Sequence, residues 1–370
     1  MERRRFGHVR QLPSGRWQAS YAGPDGDRYL APHTFTKKRD AEKWIQREEG
    51  LIERGEWFQQ QTDHTPLFRD FCEEFINTQT TRDGSLLKPT TKQLYRTLLT
   101  VHLSRFHQTP LHEIDTPTVR KWWAESITDQ KLTSRSRAYK LLSATLARAA
   151  DDGLITHNPC TIKGAHSAVT GREIVVPTID EVQRIIDHMN PRYKMFTMFL
   201  ANSGLRFGEA AALERDDLVM DAVNGAPAWK VSVNKTTALI EGVMTTQVPK
   251  SKASIRSVKL KPEMTSPLIE HLRDLAERET SLLFPNASDG YIRNDVFTNS
   301  FRRALKNADV DPRVTPHSLR HFAGSEYGRA GANVAELSRF LGDSSKDSVL
   351  RYLHSTDRGD DLLGGMRHVG

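Results

Sequence analysis

What this sequence lacks narrows its class before any motif is read. Cysteine occurs only twice, as Cys72 and Cys160. The two stand far apart and neither sits in a C-x-x-C pair, so neither a disulfide scaffold nor a structural zinc site is expected. No apolar run approaches the ~18 residues that a membrane-spanning helix needs. The opening MERRRFGHVR is basic and carries no apolar stretch of the kind a secretory leader requires. A soluble, intracellular protein with no membrane contact is therefore expected. GxxxxGK[ST], HExxH and a clustered set of carboxylates are also missing, so the sequence carries no phosphate-loop or zinc-hydrolase signature.

What is present is a moderate excess of basic charge. Lys and Arg number 53 against 46 Asp and Glu, a formal net charge of +7, and this balance favours a polyanionic partner without naming one. A chain of 370 residues is long enough for two or three domains with real cores.

Taken in order, residues 1–62 read as a small separate domain. Phe6–Arg10 and Trp17–Tyr21 alternate as strands around the turn Leu12-Pro13-Ser14-Gly15, and Pro24-Asp25-Gly26 turns the chain toward Tyr29-Leu30. From Thr36 the period changes, and Ala41, Trp44, Ile45, Glu48 and Ile52 suit one helix ended by Gly55. Arg3, Arg4, Arg5, Arg10, Arg16 and Arg28, with Lys37, Lys38 and Arg39, make the sheet side basic. A basic, solvated domain with no sequence-specific binding has the same charge pattern.

Residues 63–165 read as all-helical after a polar linker near Gln59–Pro66. Leu67, Phe71 and Phe75 form one apolar stripe, Leu94, Leu98 and Val101 a second, and Val119, Trp122 and Trp123 a third behind Thr116-Pro117. The fourth helix, Ser134–Asp152, turns Leu141, Leu142, Thr145 and Leu146 inward and leaves Arg135, Arg137, Lys140 and Arg148 available outward. Ile162–Arg172 is the candidate interdomain linker. Residues 166–370 then form a third, mainly helical domain with a strand-rich insert at Trp229–Val233, Val243–Val248 and Ile255–Leu260. The turn PKSKAS lies between the last two strands.

The densest chemistry lies between Thr315 and His354. Thr315-Pro316 starts a helix, which places His317, Arg320 and His321 on neighbouring turns of one face. Gly331 ends it, and Val334, Leu337 and Leu341 stripe the next helix. Gly342 is followed by Asp343-Ser344-Ser345, a run of N-cap residues that predicts a last helix carrying Val349, Tyr352 and Leu353. Arg grips phosphate oxygens with two parallel hydrogen bonds and keeps its proton. A tyrosine hydroxyl can attack phosphorus when the phosphate's charge is neutralised.

H-x-x-R at His317–Arg320, L-G-x-S-S at Leu341–Ser345, and Tyr352 with His354 two residues later together resemble the tyrosine recombinases, in particular lambda-type phage and prophage integrases. Upstream, Ser203-Gly204-Leu205-Arg206-Phe207-Gly208-Glu209 is similar to that family's first arginine motif. The resemblance spans essentially the whole chain. It implies a multidomain, mainly α protein with small β elements. The N-terminal three-stranded sheet plus helix would bind arm-type sites, the four-helix (SAM-like) domain would bind the core site, and a mixed α+β catalytic domain would follow.

The resemblance implies a site-specific DNA recombinase that integrates or excises phage DNA by transesterification, with no metal or nucleotide cofactor. Tyr352 would attack the scissile phosphate to give a 3′-phosphotyrosine and a free 5′-hydroxyl, while Arg206 and Arg320 stabilise the phosphorane. His317 would assist proton transfer or hold a phosphate oxygen. Lys250, with Lys252 as its rival, would protonate the leaving oxygen from a β-hairpin turn. Glu209 would either orient Arg206 or form an ordinary intrahelical ion pair.

Asp343 departs from the family, which has His or Trp there. The resemblance places it among the catalytic positions, whereas its own chemistry suggests a helix cap turned away from the phosphate, which a carboxylate would repel. Implied partners are double-stranded DNA with core-type and arm-type attachment sites, three further copies of the chain in a tetramer, a host DNA-bending protein and a directionality factor, in the cytoplasm of a bacterial host. A type IB topoisomerase and a DNA-binding protein with a weakened recombinase site are the competing readings.

Overall fold

Alternation near the N-terminus folds as its period predicts. β1 (His8–Gln11), β2 (Trp17–Ala22) and β3 (Arg28–Leu30) form an antiparallel sheet in that order, with Arg10 opposite Gln18 and Tyr21 opposite Tyr29. Successive strand residues point to opposite faces, so Val9, Ala19, Tyr21 and Tyr29 share one face and His8, Arg10, Gln18, Ser20 and Arg28 the other. α1 (Lys38–Glu53) covers the first face, burying Ala41 and Ile45 against Ala19. The Tyr21 hydroxyl donates to Glu48 on α1 at 3.0 Å. This computed structural model describes residues 6–13, 15–31, 34–57, 65–81, 83–126, 132–168, 174–249 and 252–343, and the chain divides into two compact units, 1–170 and 171–370.

Within the first unit the four expected helices form. They are α2 (Phe68–Thr78), α3 (Pro89–His102), α4 (Thr116–Glu125) and α5 (Leu132–Asp151). Their apolar stripes close on Phe68, Phe106, Tyr139 and Leu142, all fully buried, each such side chain contributing about 1.5–3 kcal/mol. α4 is capped by Asp115 rather than by Thr116, the Asp115 carboxylate accepting from Thr118 N at 2.9 Å. Ala165 joins this core, so the stretch read as a linker begins as part of the helical unit.

Arg137 and Lys140 are exposed on α5 as expected. Arg135 is not. Its guanidinium carbon lies 4.1 Å from the centre of the Trp123 ring, drawn inward by the negative face of the indole.

The second unit opens with α6 (Ile179–His188), capped by a reciprocal Thr178–Glu181 box. α7 (Pro191–Ser203) and α8 (Phe207–Ala211) follow. Five strands come next: β4 (Leu218–Val223), β5 (Ala226–Val233), β6 (Thr236–Ile240), β7 (Val243–Gln247) and β8 (Arg256–Lys259). The unit continues with α9 (Thr265–Asp274), α10 (Asn294–Asn307), α11 (Pro316–Arg329) and α12 (Val334–Leu341). Phe196, Phe199, Phe297, Phe301 and Leu319 fill the common core.

The strand insert differs from expectation. β4, β5 and β8 make one sheet, and β6 and β7 a separate hairpin. Asn224-Gly225 and Glu241-Gly242 take positive φ at both positions, the two-residue turn whose twist returns a strand onto its neighbour. β7 is therefore paired with β6, and β8 with β5. β7 and β8 thus belong to different sheets and do not form the expected hairpin with each other.

Candidate active site

The site is assembled from the ends of four elements of the second unit. α7 stops at Gly204, which takes φ +63°. A Cβ there would lie 2.8 Å from the Phe340 ring, so both the conformation and the space favour glycine. The carbonyl left free at this helix end accepts Nη1 of Arg320 at 2.8 Å. Arg320 reaches it from α11, whose start is fixed by Pro316 and a Thr315–Ser318 box. The Arg320 side chain is only 2% exposed. Burial and the neighbouring charge of Arg206 push its pKa down, with Asp343 and Glu209 opposing.

Arg206 stands at the N-terminus of α8, two residues beyond Gly204. Glu209, one turn on, accepts from the Arg206 backbone N at 3.0 Å and from Nη1 at 2.7 Å. Its carboxylate is also held by Arg256 Nη2 at 3.0 Å, both side chains being 3% exposed. Burial pushes the Glu209 carboxyl up, but Arg256 above all, and then Arg206, outweigh it and leave the pKa below its ordinary value. Of the two readings of Glu209, the geometry matches the one that orients Arg206, and the ion pair extends beyond the helix.

Asp343 closes the arrangement. Gly342 ends α12 with φ +65°, and the amides of Gly342 and Asp343 both donate to Ser338 O, at 2.8 and 3.2 Å. That turn aims the Asp343 side chain into the site. Arg206 Nη2 donates to Oδ1, and Arg320 Nη2 donates to Oδ2 at 2.9 Å. The carboxylate is 20% exposed and bridges the two guanidiniums. The carboxylate thus faces both arginines, and the helix that Asp343 was expected to cap lies outside the described residues. Two adjacent cations pull an anion inward more strongly than a helix end does.

His317 lies at the exposed mouth of the site, one turn before Arg320, its ring 4.7 Å from that of His321 in an edge-to-face contact. Partial desolvation first, then the charges of Arg320 and Arg206, push its pKa below the ordinary 6.5, with Asp343 opposing. The imidazole is thereby biased toward its neutral form, which has one donor and one acceptor nitrogen.

Arg206, His317, Arg320 and Asp343 are thus brought together. Lys250, Tyr352, His354 and the expected last helix lie outside the described residues, as do Arg3, Arg4 and Arg5. Lys252 opens the single turn Lys252–Ser254. Arg10, Arg16 and Arg28 are all exposed. Arg10 donates to Gln18 at 2.9 and 2.7 Å, Arg16 to Thr34 at 2.6 Å, and Arg28 to Ser20 at 3.0 Å. Among the described residues no three His, Cys, Asp or Glu side chains converge as a metal site would require, and no helix is long and apolar enough to cross a membrane. Arg256 was legible only as the start of a strand, and nothing in its spacing marks it as part of the site.

Residues 177–358 match the Phage integrase family, and residues 5–54 match the phage integrase N-terminal domain. The chain is 33% identical to the "Putative prophage phiRv2 integrase" of Mycobacterium tuberculosis, over 99% of this chain and 96% of that protein. Its fold is similar to that of the Tn1549 transposon integrase solved with transposon right end DNA, with a TM-score of 0.66 at 17% identity, covering 81% of this chain and 99% of that one. A lambda integrase tetramer bound to a Holliday junction is also similar, with a TM-score of 0.57 at 16% identity over 97% of both chains.

The chain belongs to the phage integrase family and is a tyrosine-type site-specific recombinase.

Proposed function

We propose that this integrase cleaves and rejoins DNA at the cluster of Arg206, His317, Arg320 and Asp343, and that Tyr352 is its nucleophile. The carrying observation is that two guanidiniums converge on one carboxylate. A pair of cations aimed at a single two-oxygen anion is what a phosphodiester's non-bridging oxygens need. In this reading the Asp343 carboxylate occupies the seat of the scissile phosphate until DNA displaces it.

The Tyr352 hydroxyl gives its proton to neutral His317 or to water as its oxygen bonds to phosphorus, the bond from phosphorus to the 5′-oxygen breaks, and Lys250 or Lys252 supplies the proton that leaves with that oxygen. The product is a 3′-phosphotyrosine and a free 5′-hydroxyl, and reversal by another strand's hydroxyl rejoins DNA without ATP. Arg206 and Arg320 stabilise the charge that grows on the phosphorane, each such donor contributing about 3–4 kcal/mol. His317, neutral in its surroundings, holds a non-bridging oxygen or relays a proton.

Residues 1–62 bind arm-type sites, with Arg10 and Arg28 presented on the sheet face opposite α1, and with Arg3, Arg4, Arg5 and Arg16 around it. Residues 63–165 bind the core site through Arg137 and Lys140, Arg135 being held against Trp123, and residues 166–370 carry the chemistry. Four copies act together on two DNA sites, with a host DNA-bending protein and a directionality factor, in the cytoplasm of the bacterial host. The tetramer follows the lambda integrase assembly on a Holliday junction. The test pairs two measurements on nicked core-site DNA. Arg320→Ala is expected to lower covalent adduct formation by roughly 100-fold or more while retaining most of the DNA affinity. Equal losses in both would assign Arg320 to binding alone.

A further inference from the structure

All three nitrogens of the Arg256 guanidinium donate to the surroundings of the phosphate seat. Nη2 donates to Glu209 Oε2 at 3.0 Å, Nε to Phe340 O at 2.9 Å, and Nη1 to Ser254 O at 3.2 Å. Glu209 passes the contact on, since its other oxygen holds Arg206 Nη1 at 2.7 Å. Phe340 lies at the end of α12, three residues before Asp343. Ser254 ends the turn that Lys252 opens, just before β8. One buried guanidinium therefore ties together the segment carrying the first arginine, the segment following the lysines, and the segment leading from α12.

Gly342 makes this close approach possible. A Cβ at that position would lie 2.7 Å from Arg256 Nη1 and 3.1 Å from the Ala253 carbonyl. The Gly342 carbonyl in turn accepts Arg206 Nη2 at 3.3 Å. The α12 terminus is thus held twice, at Phe340 by Arg256 and at Gly342 by Arg206. Buried ion pairs are weak devices for stability, because desolvating the charges offsets most of their attraction. What a planar fork with fixed donor directions supplies instead is geometry.

We infer that Arg256 is a positioning residue for strand cleavage: through Glu209 and Phe340 it holds Arg206 in register with the end of α12, and so sets the spacing of the phosphate seat. The inference rests on the phosphate-seat reading above. It differs from a fold-stabilising role in what it predicts for a substrate whose charge has been removed.

The test uses the full chain, Arg256→Met and Arg256→Lys on nicked duplexes carrying core-type sequence from the junctions that flank the gene. The scissile position is either a normal phosphodiester or a methylphosphonate, in which a methyl group replaces one charged oxygen. A misplaced Arg206 matters less when that charge is gone. Arg256→Met is expected to form the adduct about 100-fold more slowly on the phosphodiester, the size of effect seen when one preorganised donor is lost. Its DNA affinity should stay within about threefold, well under 1.4 kcal/mol, and its defect should shrink to less than about tenfold on the methylphosphonate.

Arg256→Lys keeps the charge but not the fork, and should fall between the two. If Arg256→Met does not fold, Arg256→Lys, assayed below its unfolding transition, carries the same comparison. A defect of equal size on both substrates, or a matching loss of DNA affinity, overturns the positioning role. Failure of the unaltered chain to form any Tyr352-dependent adduct would instead overturn the recombination chemistry on which the role depends.

Discussion

The carboxylate of Asp343 accepts from Nη2 of Arg320 at 2.9 Å and at the same time from Nη2 of Arg206. Asp343 is thus an anion held between two cations, the pair proposed above to grip a DNA phosphate. The free enzyme gains from this, because two guanidiniums facing each other unneutralised would repel. The DNA-bound enzyme gains less, since the phosphate must compete with a tethered anion.

Replacing Asp343 by Asn removes the competing charge while preserving size. Adduct formation on nicked core-site DNA is expected to rise severalfold, corresponding to about 1 kcal/mol for a partly solvated ion pair. The melting temperature of the free protein should fall, since the arginines lose their neutralising partner, a trade between stability and activity common at strained sites. If Asp343→Asn lowers the adduct rate and leaves thermal stability unchanged, Asp343 supports catalysis and does not compete with it.

Acid should destabilise the protein in a window that His317 helps to set. Its folded pKa lies below the ordinary 6.5, so the unfolded chain takes up this proton first as pH falls from above that value, and stability declines until the folded form also protonates. Denaturant titrations carried downward from about pH 7 should show this decline, and His317→Asn should flatten it. Glu209 acts lower on the scale. Its depressed pKa gives stability present above the ordinary 4.5 and lost as pH falls through the folded value. An unchanged slope in His317→Asn would mean that other histidines control the window.

The exposed face of the N-terminal sheet can be tested by salt dependence. Arg10→Ala with Arg28→Ala removes two cations from the face opposite α1. If both neutralise phosphates, the slope of log affinity against log salt for arm-type DNA should become shallower by up to ~1.8. Binding to core-type DNA should keep its slope. An unchanged arm-type slope would assign the contacts to Arg3, Arg4, Arg5 and Arg16.

Much of this fold was legible because its elements obey simple periods and use standard punctuation. α1 begins where the alternation of strands gives way at Thr36. α6 carries its capping box in sequence, and α11 and α12 are marked by Thr315-Pro316, Gly331 and Gly342. The strand insert was harder. Asn224-Gly225 is a strong hairpin signal, yet β4, with Leu218, Met220 and Ala222 alternating only weakly with polar neighbours, gives little to pair it with. Glu241-Gly242 is a less familiar version of the same turn, and without β6 the lysine segment looks like a hairpin.

The site was legible as far as local spacing reaches. Arg206 and Glu209 lie one turn apart, and so do His317 and Arg320, so a helix brings each pair together. Arg256 and Asp343 reach the same site from distant segments through tertiary packing, and no periodicity encodes a contact across so many residues. Arg135 shows the converse. Its position on α5 is readable, but its inward turn depends on where α4 places Trp123.

The central claim is that Tyr352 becomes covalently joined to DNA at a seat formed by Arg206 and Arg320. The most direct measurement traps the adduct on nicked core-site DNA, digests it with protease and locates the nucleotide-bearing peptide by mass spectrometry. The account predicts that the modified peptide contains Tyr352, and that Tyr352→Phe binds the same DNA without forming the adduct. A nucleotide found on another residue, such as the exposed Tyr327 of α11, or an adduct that survives Tyr352→Phe, would contradict it.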